Sequence, residues 1–171
     1  MRNVVFFITM IGVYFSTAVY AKEVSYTDVA ARNNAIISIM VKQGLSAKDL
    51  STRVNNGVLQ VVGFVDNHAE YVKLAEILMK YQEHKKVLNN VKILKAKEQH
   101  KDEEKLKHNI QEQLKQRAFP ADDIVVHVRG NHVIIGGFIS RYIEAEKVGN
   151  AVRAVPGAQI VDNYVLYKSK S

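Results

Sequence analysis

The stretch VNNGVLQVVGFV, residues 54–65, decides the fold of this chain. Two alternating apolar runs meet at Asn56-Gly57. Asn-Gly between such runs is the strongest short-range signal for a β-hairpin, because both residues tolerate positive φ. The pattern recurs as VRGNHVIIGGFI, residues 128–139, at a constant offset of 74 residues. A solenoid unit is usually ~20 to 50 residues long, so this longer period indicates two copies of one small domain.

A helical pattern precedes each hairpin. Apolar residues recur at spacings of three and four over residues 28–43 and again over residues 102–119, and each segment begins with an aspartate that suits an N-cap. Gly44 is expected to end the first helix, and Pro120 prevents the second from continuing. The buried stripe of the second of these helices is predicted to be Leu106, Ile110 and Leu114.

A further helix and a last strand follow each hairpin. Asp66 and Ser140 are the expected N-caps of these helices. The closing strands carry related patterns, VLNNV at residues 87–91 and VDNYV at residues 161–165. Each unit therefore reads α-β-β-α-β, and the sequence predicts an α+β fold with two tandem three-stranded sheets, each with two helices on one face.

Two glycines occupy inward-facing positions within the hairpin strands, Gly63 and Gly137. A glycine inside a strand usually permits close approach of another backbone. The second helix of each repeat is the expected neighbour, because it carries the small residue Ala75 or Gly149 near its centre.

Residues 1–21 predict a cleaved secretory signal peptide. Arg2 and the amino terminus supply positive charge, residues 4–15 form an apolar run, and residues 16–21 are a small-residue exit. The apolar run is shorter than the ~20 residues that a membrane-spanning helix needs, although an uncleaved anchor is the alternative. The chain has no cysteine, so a lipoprotein signal and a disulfide framework are both excluded. We expect a periplasmic protein.

The repeated pattern resembles the BON domain of exported bacterial proteins. The resemblance covers about residues 26–168, and it departs from the usual pattern at Asn131-His132, where a glycine before an apolar residue is expected. The segments that carry it are the opening helices, the hairpins at residues 54–65 and 128–139, the alanine-bearing second helix, and the closing strands at residues 87–91 and 161–165.

The resemblance implies two BON-like domains, residues 22–96 and residues 97–171. It also implies a non-catalytic module that associates with phospholipid membranes, often in envelope maintenance or osmotic stress. Because the lipoprotein cysteine is missing, the chain resembles the soluble branch of the dual-BON envelope proteins, the family of osmotically induced periplasmic protein Y.

Motifs for catalysis or cofactor binding are missing from the sequence. It contains no Gly-x-Ser-x-Gly, Gly-x-Gly-x-x-Gly, phosphate-loop or His-Glu-x-x-His pattern. His127 and His132 flank the second hairpin turn, but two ligands do not make a stable zinc site. We therefore expect no enzyme activity, no cofactor and no bound metal.

Positive charge is the main clue to a partner. The formal net charge is +7, which suits anionic lipid, acidic polysaccharide or nucleic acid, and the export signal argues against nucleic acid. Alternatively the charge only aids solubility, and the basic stripe is a solvated face diluted by Glu104 and Glu112. The candidate lipid-binding residues are Lys101, Lys105, His108 and Lys115 on one helix face, with Phe119 as a possible shallow insertion or as a core residue.

Strand alternation also places apolar residues on the sheet face away from the helices. Such clusters normally mark an interaction site, and we expect this face to pack on the other domain or on a second copy. The alternative function is a chaperone or scaffold for envelope proteins, and the oligomeric state stays open. The candidate interaction face in the second repeat is Ile134, Phe138, Tyr164 and Leu166, with Val125 beside them; in the first it is Val58, Val62, Phe64, Leu88 and Leu94.

Overall fold

A computed structural model describes residues 36–81, 84–95 and 100–168. The predicted signal peptide, residues 1–21, and the expected N-cap Asp28 lie outside the described residues. We call residues 36–95 the first repeat and residues 100–168 the second repeat.

Each repeat follows the predicted order of elements. In the first, α1 is described over residues 36–42 and is followed by β1 (Leu50–Asn55), β2 (Val58–Val65), α2 (His68–Met79) and β3 (Lys86–Ile93). In the second, α3 (His100–Gln116) is followed by β4 (Ile124–Arg129), β5 (His132–Ile139), α4 (Tyr142–Arg153) and β6 (Ile160–Tyr167). The α+β class with two three-stranded sheets is confirmed.

The two sheets have the same topology. The strand orders are β1-β2-β3 and β4-β5-β6, so the second hairpin strand is central in each sheet. The hairpin strands pair antiparallel, whereas the last strand pairs parallel to the central one. A parallel pair needs a crossover connection, and α2 and α4 supply it. Short 3₁₀ turns, Ala47–Asp49 and Ala121–Asp123, lead into β1 and β4.

Each sheet packs its inner face on its own helices, which gives two separate cores. In the second repeat the predicted stripe of α3 is buried: Leu106 is 7% exposed, Ile110 is fully buried and Leu114 is 1% exposed. They contact inner-face residues of the sheet and one face of α4, as the helical periodicity predicts. The core of the first repeat is formed in the same way by Ile36, Met40, Leu59, Val61, Leu74 and Leu78.

The two inward-facing glycines are explained by the 3₁₀ turns, and the prediction that the second helix approaches them is wrong. A Cβ added to Gly63 would lie 1.9 Å from the carbonyl oxygen of Asp49, and one added to Gly137 would lie 2.0 Å from that of Asp123. Their φ angles are +141° and +122°, a backbone conformation that residues other than glycine rarely adopt. The glycines therefore let the turn before the first strand lie against the central strand.

The caps of α2 and α4 lie one residue later than predicted. Asn67 is the N-cap of α2, and its side chain accepts a hydrogen bond from the Glu70 amide at 3.0 Å. The Glu70 carboxylate in turn accepts from the Asp66 amide at 2.8 Å, much as in a capping box. The N-cap of α4 is Arg141, without a side-chain cap. The Asp66 carboxylate instead accepts a hydrogen bond from Arg129 at 2.7 Å.

The hairpin turns differ between the repeats. Asn56 and Gly57 both have positive φ, at 47° and 77°, as a type I′ turn requires. In the second repeat Gly130 has φ 59° and Asn131 does not share the positive sign, a pattern typical of a type II′ turn with glycine at its first central position. The departure of the sequence at Asn131 thus changes the turn and leaves the pairing in place, because Arg129 still faces His132.

Ala118 offers a direct test of the helix ends. It has φ 57° just after α3, at the position that Gly44 occupies with φ 80° after α1. Because a side chain in this region costs roughly 1–2 kcal/mol, we expect Ala118→Gly to raise the free energy of unfolding by about 1 kcal/mol. Gly44→Ala should lower it by a similar amount. Urea unfolding measures both, and a drop in stability for Ala118→Gly would contradict the assignment.

Candidate functional site

The basic candidate surface is the outward face of α3. The apolar stripe of this helix is buried against the sheet, so the opposite face is directed to solvent. Lys105, His108 and Lys115 are all exposed there. Lys101 lies within α3, but its side chain is outside the described residues. The structure thus places three of the four predicted basic residues together on one open surface.

Acidic partners neutralise this surface only in part. Glu112 accepts a hydrogen bond from Lys115 at 3.1 Å, and Glu104 lies 3.9 Å from Lys48 of the first repeat. These side chains are 42% to 65% exposed, and ion pairs at such exposure contribute ~0–1 kcal/mol because water and salt screen them. Lys48 and Lys115 therefore remain accessible to an anionic partner.

Phe119 belongs more to the core than to the surface. It is half-buried and packs against the core of the second repeat. Its amide donates to the Leu114 carbonyl at 3.0 Å, and its own carbonyl accepts from the Ala121 amide at 2.8 Å. Leu45, its counterpart in the first repeat, is 3% exposed. This placement favours the core-packing alternative over shallow insertion into a membrane.

The predicted interaction face lies between the two repeats. Ile134 is fully buried in a cluster with Val62, Phe64 and Val125, and Leu94 and Tyr164 pack against this cluster. Phe138 is also buried and Leu166 is half-buried, but neither is part of the cluster. We call this contact, formed by the outer faces of both sheets, the inter-repeat contact.

The inter-repeat contact is shaped by two equivalent positions, Val62 and Gly136, which lie 74 residues apart in the chain. A Cβ added to Gly136 would lie 2.5 Å from a methyl group of Val62. The missing side chain in one repeat therefore makes room for the branched side chain in the other. The outer sheet faces of the two repeats are therefore complementary in shape at this point.

Gln60 is a polar residue of the inter-repeat contact that the sequence did not single out. Its side chain is fully buried. The amide oxygen accepts from the Gly137 amide at 2.8 Å, and the amide nitrogen donates to the carbonyl of Tyr164 at 2.6 Å and to Asn90 at 3.2 Å. A buried polar group destabilises a fold unless it is hydrogen-bonded, and here the partners come from both repeats.

Arg129 is the main ionic contact between the repeats. It is 5% exposed, and its guanidinium donates to Asp66 at 2.7 Å, to Asp49 at 3.0 Å and to the carbonyl of Leu94. It also lies 5.5 Å from the centre of the Phe64 ring, close enough for a cation–π contact. All four partners belong to the first repeat.

His127 lies beside Arg129 on the same strand face and is 7% exposed. Its Nε2 forms a hydrogen bond of 2.9 Å with the hydroxyl of Ser51 in the first repeat. Burial, and after it the positive charge of Lys107, lower the pKa of His127 from 6.5 to about 4. The imidazole is therefore neutral at pH 7.

A second ionic contact joins the last strands of the two sheets. His132 lies 2.7 Å from the Asp162 carboxylate, and Lys92 of the first repeat lies 3.8 Å from the same group. A hydrogen bond to Tyr164, and after it the charge of Asp162, raise the pKa of Lys92. His127 and His132, which flank the same turn, therefore bond to different partners.

Three further observations concern ligands and membranes. Across residues 36–81, 84–95 and 100–168, no three His, Asp or Glu side chains are placed to share a metal ion. The same described part of the chain contains no helix with the length and hydropathy needed to cross a bilayer. A charged cleft of about 40 Å³ beside His127 has room for about one water molecule.

Comparison with known proteins identifies one domain. The model of the BON domain family matches residues 102–169, which supports a BON domain in the second repeat. No curated protein matches the chain.

Two similar solved structures are of CdsD, a structural protein of the type III secretion system of Chlamydia trachomatis. One, of its C-terminal domain, is 18% identical, with a TM-score of 0.34, covering 82% of this chain and 67% of that one. The other is 15% identical, with a TM-score of 0.35, covering 78% and 91%.

Proposed function

We propose that this chain is a non-enzymatic periplasmic protein that has two BON-like repeats and associates with anionic phospholipid membrane surfaces. The role we assign to it is envelope maintenance or the response to osmotic stress. One observation carries the proposal: the exposed basic face of α3 belongs to the repeat that matches the BON domain. The proposed export rests on the signal-like pattern of residues 1–21.

We further propose that the first repeat is a diverged copy of the same domain. Both sheets have the same strand order and the same mixture of antiparallel and parallel pairing. Gly63 and Gly137 make room for the same 3₁₀ turn in the two repeats. These shared features support a tandem arrangement, in which the second repeat meets the lipid and the first repeat covers its outer sheet face.

Electrostatic attraction is the physical basis of the proposed membrane association. A basic side chain near an anionic bilayer contributes ~1 kcal/mol, and the attraction falls off within about 10 Å at 0.1 M salt. Lys105 and Lys115 are exposed on one helix face, so both can approach the same flat surface. Binding should therefore require anionic lipid and weaken as salt is added.

The lysines of α3 can be tested with a double substitution. We expect Lys105→Gln with Lys115→Gln to lower the partition coefficient onto phosphatidylglycerol-containing vesicles by about 30-fold, because two contributions of ~1 kcal/mol are lost. Vesicle flotation at low and at physiological salt measures the change. Vesicles of phosphatidylcholine alone should recover little of either protein.

Lys73 and Lys80 provide a matched control. Both are exposed on or just after α2 of the first repeat, and Lys73→Gln with Lys80→Gln removes the same net charge. This control should retain most of the binding, since its lysines lie away from α3. Equal losses in the two double variants would show that only net charge matters and would contradict the α3 site.

A second candidate function is capture of envelope proteins through the apolar sheet faces. In this structure Val62, Phe64 and Ile134 are buried against one another, so these side chains meet a client only after the repeats separate. We therefore place membrane association first. Suppression of client aggregation by the parent protein at neutral pH, without lipid binding, would reverse this order.

A further inference from the structure

His127 is buried by the inter-repeat contact and not by the core of its own repeat. It alternates along β4 with Val126 and Val128, which belong to the core of the second repeat, and so lies on the outer face of this strand. What covers it is the first repeat, whose Ser51 hydroxyl lies 2.9 Å from Nε2. Separation of the two sheets would therefore return the imidazole to water without opening either core.

The charges around His127 disfavour a positive imidazole. Arg129 on the same strand, Arg53 on β1 and Lys107 on α3 all act on it as cations, and Asp49 is the one carboxylate among the leading influences. Protonation of His127 would therefore add a positive charge beside three existing cations. The carboxylate of Asp49, which could offset this charge, already accepts a hydrogen bond from Arg129 at 3.0 Å.

The two glutamates of the neighbouring cleft are not among the leading influences on His127. The cleft is lined by Lys48, Glu103 and Glu104 in addition to the residues above. Glu104 lies 3.9 Å from Lys48, and Glu103 accepts a hydrogen bond from the Gly130 amide at 2.6 Å. Both glutamates therefore already have partners when His127 takes up a proton.

We propose that protonation of His127 under acidic conditions separates the two repeats and uncovers the apolar outer faces of both sheets. This device goes beyond membrane association, because it controls which surfaces the protein presents. Each repeat keeps its own helices and core in the separated form.

The direction of the pH dependence follows from linkage. Docking lowers the pKa of His127 from 6.5 to about 4. The docked form is therefore most stable above about pH 6.5, and it loses stability progressively as the pH falls from 6.5 to 4. At pH 5 the separated form carries the proton and the docked form mostly does not. The docking equilibrium should then be weaker by about 20-fold than at pH 7.

A distance measurement across the contact tests the proposal. The chain has no cysteine, so spin labels can be placed by Lys73→Cys and Lys147→Cys, which are equivalent exposed positions on α2 and α4. We expect one narrow distance distribution at neutral pH and a broad, longer one near pH 4 to 5. The far-UV circular dichroism should change little over the same range. A distribution that stays narrow, or a loss of helix signal together with the broadening, would overturn the proposal.

Two histidine variants assign the transition to a residue. His127→Gln keeps a neutral hydrogen-bonding group beside Ser51 that cannot take up a proton, and we expect it to remain docked at pH 4 to 5, where the parent opens. His108→Gln, on the exposed face of α3, should open at the parent pH. If His127→Gln opens with the parent, the proposal is wrong. Should this variant fail to fold, proton NMR titration of His127 in the parent decides, because a midpoint near that of exposed histidines would exclude the mechanism.

Discussion

Gly137→Ala is expected to abolish folding of the second repeat or to lower its free energy of unfolding by about 4 kcal/mol. The added Cβ would lie 2.0 Å from the carbonyl oxygen of Asp123, and a backbone atom cannot move aside as a side chain does. Positive φ adds strain of order 1–3 kcal/mol, and overpacking costs a similar amount. Urea unfolding followed by circular dichroism measures the loss.

Gly130→Ala is the matched control for this effect. Gly130 also has positive φ, at 59°, but nothing lies within 4 Å of an added Cβ. Its replacement should cost only about 1–2 kcal/mol, from backbone strain alone. If the two alanine variants lose the same stability, the close approach of the 3₁₀ turn is not what requires glycine at position 137.

The fold was predictable because its signals are local. Alternation on both sides of Asn56-Gly57 placed the first hairpin, and the spacing of Leu106, Ile110 and Leu114 placed the buried face of α3. Each of these signals depends on residues within one or two turns or strands of each other. Because the same patterns recur 74 residues later, each element was predicted from two different segments of the sequence.

The atoms that lie against Gly63 could not be predicted from such local signals. The glycine itself indicated a close approach, but the sequence offered the small residues of α2 as the more obvious partner. The actual neighbour is the Asp49 carbonyl, a backbone atom that every residue possesses. A contact made by backbone alone leaves no trace in the type of the contacting residue, so only the three-dimensional path of the turn reveals it.

The polar residues of the inter-repeat contact were missed for a different reason. Gln60 and Arg129 occupy outward-facing strand positions, where polar residues usually meet solvent. Their partners are far away in the chain: Arg129 is 63 residues from Asp66, and Gln60 is 77 residues from Gly137. Burial of an outer sheet face depends on how two folded units dock, and no periodicity within either unit encodes that. The signal available in the sequence was the apolar cluster around Ile134.

Arg129→Met is expected to weaken the inter-repeat contact by about 2–3 kcal/mol. Methionine keeps an unbranched apolar chain beside Phe64 but removes the donors to Asp66, Asp49 and the carbonyl of Leu94. Removing one partner of a fully buried ion pair costs about 3–5 kcal/mol. Here Asp66 is 43% exposed and Asp49 is 27% exposed, so water relieves part of that cost. Spin labels at positions 73 and 147 should report partly separated repeats at neutral pH.

A control at another arginine and substitutions of the carboxylate partners separate the ionic contribution of Arg129 from its packing. Arg153→Met, at an exposed residue on α4 bonded to Asn150 at 2.9 Å, should change stability by no more than about 0.5 kcal/mol. Adding Asp49→Asn and Asp66→Asn to Arg129→Met should recover part of the docking, because the unpaired carboxylates left behind are then neutral. Absence of recovery would indicate that Arg129 contributes through its packing on Phe64. Unchanged docking in Arg129→Met itself would show that the apolar cluster and Gln60 suffice to hold the repeats together.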